Sequence, residues 1–351
     1  MEPADTDLPP GAGGDEVWMA EAVALGRSVR ALTSPNPWVG AVVVPAGPEP
    51  VALGATAPPG GPHAEVTALG LAGESARGST MYVTLEPCSH HGRTPPCTEA
   101  IVAAGVRRVV VGVVDPDPRV DGSGIAALEA AGVEVTVGVG AGEVERCLAP
   151  YLAHRRRGRP WVVLKLAATL DGRIAAPDGT SRWITGPEAR ADAHRLRAES
   201  DAVAVGAGTV RSDDPALTVR LAPDDPAGER RQPLRVVLGT PPEGARVMPA
   251  VVHRGDVEEL LDDLGARGVV QLLVEGGAAV AGELHRRGLV DQYVFYYAPA
   301  LMGGEDGRPM FAGPGVPSIG GAWRGRIESV KRLGPDVRVD VFPAERRDAV
   351  P

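Results

Sequence analysis

Hydrophobic positions in the first half of the chain form short apolar runs separated by segments of helical spacing. Apolar residues that recur among small ones predict a first helix over 15–32. Short continuous apolar runs predict buried strands instead. The pattern gives strands at 41–44, 80–85, 108–114 and 133–137, and further helices at 63–71, 97–104, 124–131 and 141–152. Strands that alternate with helices indicate an α/β domain, in which helices cover a sheet.

A second alternating pattern follows a basic run at 155–160. It predicts strands at 161–167, 202–205, 234–238, 269–274, 290–297, 326–330 and 337–341, helices at 187–199, 256–266 and 275–287, and turns or loops at 170–175, 181–186 and 206–210. The basic run could contact phosphate, but a solvated helix end and linker is the preferred interpretation. We therefore predict two α/β domains, at 15–154 and 161–343, joined by a linker at 155–160. Residues 1–14 are expected to be a disordered lead-in and 344–351 a tail.

One constellation in the first half has the spacing of a metal site. His63 and Glu65 lie at the start of a predicted helix, and Cys88 and Cys97 follow the next predicted strand. One imidazole and two thiolates leave a fourth position of tetrahedral zinc free for water, and a glutamate that is not a ligand can then move protons. Zinc deaminases have this arrangement, although their general signature separates the two cysteines by two residues rather than eight. The sequence therefore predicts a catalytic zinc site with Glu65 as the proton shuttle.

Two other interpretations of this constellation remain open at the sequence level. Cys88 and Cys97 could be ordinary buried thiols, or His90 or His91 could complete a closed structural site. Glu65 argues against the closed site, which does not require a carboxylate. The Asn36-Pro37 pair between the first helix and strand is equally consistent with a simple turn and with a functional loop.

Composition and charge exclude several classes of protein. The chain has 351 residues, of which 44% are apolar and 23% charged, and its net charge is −9. This acidic balance argues against a nucleic-acid partner, whose usual requirement is a basic surface. No apolar run approaches the ~18 residues of a membrane span, and the acidic N-terminus lacks the features of a signal peptide. With two of three cysteines assigned to metal there is no disulfide framework, so a reducing, cytoplasmic location is expected.

Glycines at predicted strand ends indicate an anion site in the second half. Gly276-Gly277 opens a predicted helix directly after a buried strand, where free backbone N–H groups and the helix dipole favour a negative charge. Gly206 and Gly208 follow another strand, but they do not form a full G-x-G-x-x-G motif. Each feature alone is more often a turn. Together they favour a crevice for a phosphorylated ligand and do not by themselves identify a redox cofactor.

These motifs resemble those of the bifunctional riboflavin-biosynthesis deaminase/reductase family. The resemblance rests on His63-Ala64-Glu65 and on Thr84-Leu85-Glu86-Pro87-Cys88-Ser89-His90-His91-Gly92-Arg93-Thr94-Pro95-Pro96-Cys97, whose cysteine spacing is the family's own form. In the second half it rests on Lys165-Leu166, Leu170-Asp171-Gly172-Arg173, Ser181-Arg182-Trp183-Ile184-Thr185, Asp213-Asp214-Pro215-Ala216-Leu217-Thr218-Val219-Arg220 and Val274-Glu275-Gly276-Gly277. The similarity spans about 16–343.

The resemblance implies an α/β protein with a cytidine-deaminase-like α/β/α domain followed by a dihydrofolate-reductase-like α/β domain. It implies zinc-dependent deamination of 2,5-diamino-6-ribosylamino-4(3H)-pyrimidinone 5′-phosphate, and then NADPH-dependent reduction of the ribosyl chain of the product to ribityl. The expected partners are thus small phosphorylated pyrimidines, with no nucleic acid and no membrane. Oligomeric state stays open, with a homo-oligomer as one alternative.

The resemblance also assigns residues. His63, Cys88 and Cys97 would bind zinc, Glu65 would shuttle protons, and Asn36 would line the deaminase pocket. Substrate in the reductase half would contact Ser181, Arg197, Leu217, Arg220 and Glu275; the cofactor would contact Ala167, Trp183, Thr209, Asp213 and Gly277. Arg197 and Arg220 could converge on the 5′-phosphate, with Ser181 adding a hydroxyl, because guanidinium donors form a planar fork that suits phosphate. The alternative is that one or both arginines are solvated surface charges.

Three alternatives remain. The runner-up enzyme is a zinc deaminase of another base or nucleoside with a non-catalytic ligand-binding C-terminal domain. A deaminase acting on tRNA or DNA is disfavoured by the acidic charge. A zinc-stabilised binding module predicts bound metal without ammonia release.

Overall fold

The computed structural model describes residues 14–48, 51–91, 95–222, 225 and 232–344. The chain divides into two compact units, Met1–Arg156 and Arg157–Pro351. The expected lead-in, apart from Gly14, and the expected tail, apart from Ala344, lie outside the described residues, as do Gly92, Arg93 and Thr94 of the cysteine motif.

The first unit contains a five-stranded sheet, and helices connect several of its strands in sequence. Its strand order is β2-β1-β3-β4-β5; β1 is antiparallel to β2 and β3, whereas β3, β4 and β5 are parallel. The elements are α1 (Asp15–Ser28), α2 (Arg30–Thr33), β1 (Gly40–Val44), β2 (Ala52–Ala55), α3 (Ala64–Ala72), β3 (Thr80–Leu85), α4 (Cys97–Ala103), β4 (Arg108–Val113), α5 (Ser123–Ala130), β5 (Glu134–Val137), α6 (Ala141–Cys147) and α7 (Ala149–Arg157).

Burial explains why the central strands of this sheet read as continuous apolar runs. All five residues of β1 are buried, and so are five of the six residues of both β3 and β4. A strand that is buried on both faces has no side exposed to solvent, so its sequence does not alternate between apolar and polar residues. Since β3 and β4 run in the same direction, the segments that follow them, beginning at Glu86 and Val114, emerge at the same edge of the sheet.

The second unit contains an eight-stranded mixed sheet of order β10-β9-β8-β11-β6-β12-β15-β14 and a small pair of β13 with β7. The strands from β10 to β12 are parallel, and β15 and β14 add antiparallel. Its elements are β6 (Trp161–Thr169), β7 (Arg173–Ala175), α8 (Pro187–Ala198), β8 (Ala202–Gly206), α9 (Ala207–Asp213), β9 (Leu234–Leu238), β10 (Val251–His253), α10 (Val257–Ala266), β11 (Gln271–Val274), α11 (Ala278–Arg286), β12 (Gln292–Ala298), β13 (Arg308–Pro309), β14 (Gly325–Leu333) and β15 (Asp336–Pro343).

The structure corrects several predictions of local structure. The loop expected at 206–210 is wrong, because α9 begins at Ala207. A glycine in its first turn lowers helix propensity, but Ala207 and Val210 are buried, and tertiary packing outweighs propensity. The turn expected at 170–175 ends in the short strand β7, and the helix expected at 141–152 is two helices, α6 and α7. β2 and β10 were not predicted; both are too short for a clear period.

Helix α7 continues through Arg157, so the first three arginines of the basic run belong to a helix. Among the described residues, no helix combines the length and apolar character needed to cross a lipid bilayer.

Candidate functional site

Three elements of the first unit deliver potential metal ligands to one point. His63 is the residue that precedes α3, Cys88 follows β3, and Cys97 is the first residue of α4. Their ligand atoms all lie within 4.8 Å of one another. His63 Nδ1 is 3.2 Å from Cys97 Sγ and 3.6 Å from Cys88 Sγ, and the backbone N–H of Cys97 donates to Cys88 Sγ at 3.4 Å.

The electrostatics of this group favour a thiolate. A hydrogen bond from the Cys97 thiol lowers the pKa of Cys88 to about 4, and the same bond raises the pKa of Cys97. The hydrogen bond to Cys88 raises the pKa of His63. The backbone N–H of Cys97, the first residue of α4, donates to Cys88 Sγ, so the start of this helix also favours the Cys88 thiolate. One imidazole and two sulfur donors at this separation fit tetrahedral zinc with one position left open.

The described residues do not form a closed four-ligand metal site. The group of possible ligand atoms that they bring together consists of His63, Cys88 and Cys97. His91 Nε2 instead lies 3.7 Å from Glu99. Cys147 is buried on α6, and burial raises the pKa of its thiol. The donor set therefore corresponds to the open, catalytic type of zinc site.

Glu65 is the second residue of α3, and only 4% of its surface is exposed. Burial raises the pKa of this carboxyl group. Glu65 and Asn36 line one cavity of about 500 Å³ together with His63 and Cys88. The structure thus brings the residues assigned to the deaminase half to a single concave site.

A second glutamate, Glu86, fixes the floor of this cavity. Its Oε1 accepts hydrogen bonds from the backbone N–H groups of Gly124 (2.8 Å) and Ile125 (3.2 Å) at the start of α5. Its Oε2 accepts from the N–H groups of Asp115 (3.2 Å) and Gly122 (3.0 Å). A carboxylate that binds four backbone donors ties Pro87-Cys88 to the segment after β4.

Carboxylates after β4 form another wall of the cavity that the sequence analysis missed. Asp115 accepts a hydrogen bond from the hydroxyl of Tyr151 at 3.0 Å, and Asp117 is paired with Arg119. All four residues line the cavity. The sequence could have predicted these residues, because polar residues that follow a buried parallel strand lie at the edge of the sheet where α/β proteins bind ligands.

In the second unit, the starts of α9 and α11 lie side by side. These helices follow the neighbouring parallel strands β8 and β11. A Cβ added to Gly277, which precedes α11, would lie 3.0 Å from Thr209 Oγ1 on α9. Helix starts expose backbone N–H groups, so this pair of turns suits an anionic ligand such as the pyrophosphate of a dinucleotide.

The other residues assigned to the cofactor are more scattered. Asp213 ends α9, and its carbonyl oxygen accepts a hydrogen bond from the guanidinium of Arg182. The neighbouring Trp183 is 70% exposed. Ala167 lies on β6 in register with Tyr296 of β12. The structure connects Trp183 and Asp213 through Arg182, whereas Ala167 lies on a different element, β6.

Among the substrate residues, Arg197 and Glu275 form a buried ion pair. Arg197 Nη2 donates to Glu275 Oε2 at 2.9 Å, and Arg197 Nε donates to Glu275 Oε1. Their side chains are 14% and 12% exposed. Burial by itself would raise the pKa of Glu275, but Arg197, followed by Lys165, outweighs it and holds that pKa at about 2. The guanidinium expected to bind phosphate is therefore committed to a carboxylate.

Arg220 and Arg197 bind two different oxygen atoms of Thr218. Arg197 Nη1 donates to the Thr218 carbonyl oxygen at 3.0 Å, and Arg220 Nη1 donates to Thr218 Oγ1 at 2.9 Å. Arg220 is exposed, Leu217 is buried with φ +52°, and Ser181 is half-buried in the loop before α8. Arg197, Glu275 and Arg220 are thus brought together, and no contact links Ser181 to them among the described residues.

Lys165 and His194 are charged or titratable groups beside this pair that the site assignment omitted. Burial lowers the pKa of Lys165, while Glu275 opposes that shift. Lys165 Nζ lies 5.4 Å from the centre of the Tyr296 ring. Burial, and then Arg197 and Arg220, lower the pKa of His194 to about 4. The sequence could have indicated Lys165 as a candidate site residue, because a buried apolar strand such as β6 rarely contains a lysine that has no function.

Comparisons with known proteins agree with this two-site arrangement. Residues 13–113 match the family model described as the cytidine and deoxycytidylate deaminase zinc-binding region, and residues 160–339 match the RibD C-terminal domain. The first match contains the His63, Cys88 and Cys97 group, and the second contains every residue assigned to the reductase half. The predicted order, a cytidine-deaminase-like domain followed by a reductase domain, is confirmed.

Full-length relatives show the same combination. The riboflavin biosynthesis protein RibD of Escherichia coli K12 is 41% identical, over 92% of this chain and 98% of its own. RibD of Acinetobacter baumannii superposes with a TM-score of 0.87 at 36% identity, covering 94% of this chain and 99% of that one. A Thermotoga maritima diaminohydroxyphosphoribosylaminopyrimidine deaminase/5-amino-6-(5-phosphoribosylamino)uracil reductase gives 0.84 at 34% identity with the same coverage.

Proposed function

The chain belongs to the RibD family of bifunctional riboflavin-biosynthesis enzymes, and on that premise we propose how its two sites divide the work. The first unit deaminates 2,5-diamino-6-ribosylamino-4(3H)-pyrimidinone 5′-phosphate with zinc. The second unit uses NADPH to reduce 5-amino-6-(5-phosphoribosylamino)uracil to the ribitylamino product. The observation that carries the proposal is the His63, Cys88 and Cys97 group beside buried Glu65, in a chain that also contains the reductase domain.

The runner-up, a deaminase with a non-catalytic C-terminal domain, is not favoured. Residues 160–339 match the RibD C-terminal domain, and the relatives align over both halves. The net charge of −9 also supports a small-molecule substrate rather than a nucleic acid.

In the deaminase site, His63, Cys88 and Cys97 would hold the zinc ion. Zinc, when bound, acts as a Lewis acid that activates water for attack on the ring carbon that bears the amino group. The Glu65 carboxylate accepts a proton from the attacking water and delivers it to the amino nitrogen, which leaves as ammonia. Its burial in the cavity keeps bulk water away from this proton transfer. Asn36 lines the same cavity and can orient the pyrimidine through its amide.

In the reductase site, the turns at Thr209 and Gly277 would hold the phosphates of the cofactor. The absence of a side chain at Gly277 leaves the space in which Thr209 Oγ1 lies, and the first N–H groups of α11 are available to an anion. NADPH, when bound, supplies a hydride to C1′ of the ribosyl group. Arg182 links Trp183 to Asp213, the last residue of α9, and both would contact the cofactor at this end of the helix.

The substrate side of the reductase site contains Lys165 with Arg197 and Glu275. Opening of the ribosyl ring releases an oxygen that needs a proton, and Lys165 can hold one next to the Glu275 carboxylate. Arg197 keeps Glu275 ionised and in place, because its two donors bind both carboxylate oxygens. Arg220 is the exposed guanidinium at this site and remains available to the 5′-phosphate.

Mass spectrometry of the pyrimidine substrate tests both halves in one experiment. Without NADPH, the substrate should lose the first of its two amino groups, at ring position 2, as ammonia and stop at the uracil intermediate, which keeps the 5-amino group. With NADPH, that intermediate should gain two hydrogen atoms as NADPH is oxidised. Deamination without any NADPH-dependent product would favour the runner-up function.

A further inference from the structure

The basic run at 155–160 contributes to the deaminase cavity. Arg155 lies on α7 and lines the cavity that contains His63 and Glu65. Of the described residues that line this cavity, Arg119 and Arg155 are the ones with a permanent positive charge. Helix α7 lies beyond residue 113, where the match to the general deaminase zinc-binding region ends. Arg155 therefore comes from a part of the first unit that lies outside the matched zinc-binding region.

Both arginines are held by one buried carboxylate. Arg119 donates to Asp117 from Nε at 3.0 Å and from Nη2 at 2.7 Å. Arg155 Nε lies 3.5 Å from Asp117 Oδ2, and its guanidinium lies 5.0 Å from the centre of the Tyr151 ring. The side chain of Arg155 is 28% exposed. An arginine fixed between a carboxylate and an aromatic ring, with part of its surface open to a cavity, is pre-organised to bind an anion.

The positive charges of the cavity wall are gathered at Asp117. Two guanidinium groups face this one carboxylate, whereas the other carboxylates that line the cavity in the described part of the chain, Glu65, Glu86 and Asp115, have no arginine bound to them in the same way. Tyr151 donates to Asp115, and four backbone N–H groups donate to Glu86. Among the described residues, Arg155 forms its ion pair with Asp117 through Nε, so an anion could be bound by its Nη groups.

Resting on the proposed function, we propose that Arg155, supported by Arg119, binds the 5′-phosphate of the deaminase substrate. The pyrimidine ring would then extend from the phosphate toward Glu65 along the cavity, whose volume of about 500 Å³ is within the range that encloses a small ligand. Asp117 acts as a positioning residue, because it holds both guanidinium groups at the wall.

Two forms of the substrate separate phosphate recognition from other roles of Arg155. Ammonia release is measured with the phosphorylated pyrimidine ribotide and with the same compound after removal of its phosphate. Arg155→Met should raise KM for the ribotide by about 10- to 100-fold, the range expected when a hydrogen bond between charged groups is lost. Its kcat should change little, since the phosphate is remote from the reacting amino group. KM for the dephosphorylated form should stay at the wild-type value.

Four controls accompany this measurement. Arg156→Met removes the exposed neighbouring arginine and should leave both KM values unchanged. Arg155→Lys should recover part of the affinity, because it restores the charge without the planar fork. Ribose 5-phosphate should inhibit deamination by the wild type competitively and should inhibit Arg155→Met much more weakly. Zinc content shows that each variant retains the metal.

The outcomes are distinct. Equal increases in KM for both substrate forms would mean that Arg155 only maintains the wall through Asp117 and would overturn the proposal. Unchanged KM values for both forms would overturn it as well. If the wild type released ammonia from neither form, the proposed function itself would fail. A wild type that deaminates both forms equally well would show that no phosphate site exists in this cavity.

Discussion

The two halves of the chain build their sites in different ways. In the deaminase unit, the donor atoms of His63, Cys88 and Cys97 come together at the ends of three elements, within 4.8 Å of one another. In the reductase unit, Arg197 of α8 meets Glu275 after β11 across 78 positions of sequence. The first site is centred on a metal, whose ligands must be close to each other. The second is a crevice, where residues need only face the same ligand.

This difference has consequences for how each site responds to substitution. A metal centre fails as a whole when one ligand is lost, because the ion itself leaves. A crevice with several separate contacts loses affinity step by step, except where a buried charge is left without its partner. Substitutions in the first unit should therefore have larger effects on activity than those in the second.

The largest effect is expected for Cys88→Ser. The variant should lose zinc and with it essentially all ammonia release, because serine does not replace a thiolate ligand. Reduction of the pre-deaminated intermediate should persist, since that site is built from other residues. Elemental analysis and the two half-reaction assays on one preparation check this. Cys147→Ser is the matched control and should keep full zinc, so equal loss of zinc from both variants would contradict the assignment.

The next effect is that of Glu65→Gln, which should retain zinc but release ammonia about 10²-fold more slowly or worse. The amide has the shape of the carboxylate but cannot accept a proton from water. Steady-state ammonia release and elemental analysis on the same sample provide the test. Near-normal activity would show that another group, such as His90, moves the proton.

In the reductase unit, Arg197→Met should lower the free energy of unfolding by roughly 3–5 kcal/mol, because it removes the guanidinium that binds both oxygens of the buried Glu275 carboxylate. Denaturation followed by tryptophan fluorescence measures this. Arg195→Met on the same helix, whose side chain is 57% exposed, is the matched control and should cost less than about 1 kcal/mol. Equal effects of the two substitutions would show that the buried pair has no special role.

The same pair predicts a dependence on pH. The pKa of Glu275 is about 2 in the folded protein, below its ordinary value of 4.5. A lowered folded pKa gives stability that is fully present above the ordinary value and is lost as the pH falls from about 4.5 toward 2. The difference in unfolding free energy between wild type and Arg197→Met should therefore shrink over that range. A constant difference would mean that Glu275 is not the linked group.

The smallest effect is expected for Arg220→Ala. The sequence alone suggested a loss of roughly 2–4 kcal/mol, which assumes a buried charge. Arg220 is exposed, so we expect a loss of about 1 kcal/mol, or about fivefold in KM of the reductase substrate, that weakens with added salt. Ammonia release should not change. A loss as large as for a buried contact, insensitive to salt, would show that substrate binding encloses this arginine.

The sequence predicted some strands at the bounds that the structure has. The predicted range 80–85 coincides with β3, and 234–238 coincides with β9. It did less well where packing outweighs local preference, as in α9, and where strands are short, as in β2 and β10. Glycine-rich or short segments carry too little periodicity to distinguish helix, strand and loop.

The sequence by itself predicted the candidate zinc ligands and Glu65 as the candidate proton shuttle, because the chemistry of zinc restricts the residue types that can bind it and the structure brings these residues together. Only the tertiary structure decided which arginines are available. It commits Arg197 to Glu275 and brings Arg155, assigned by sequence to a solvated linker, into the deaminase cavity. The charge of an arginine is visible in the sequence, but its partner is set by the packing of distant helices and strands.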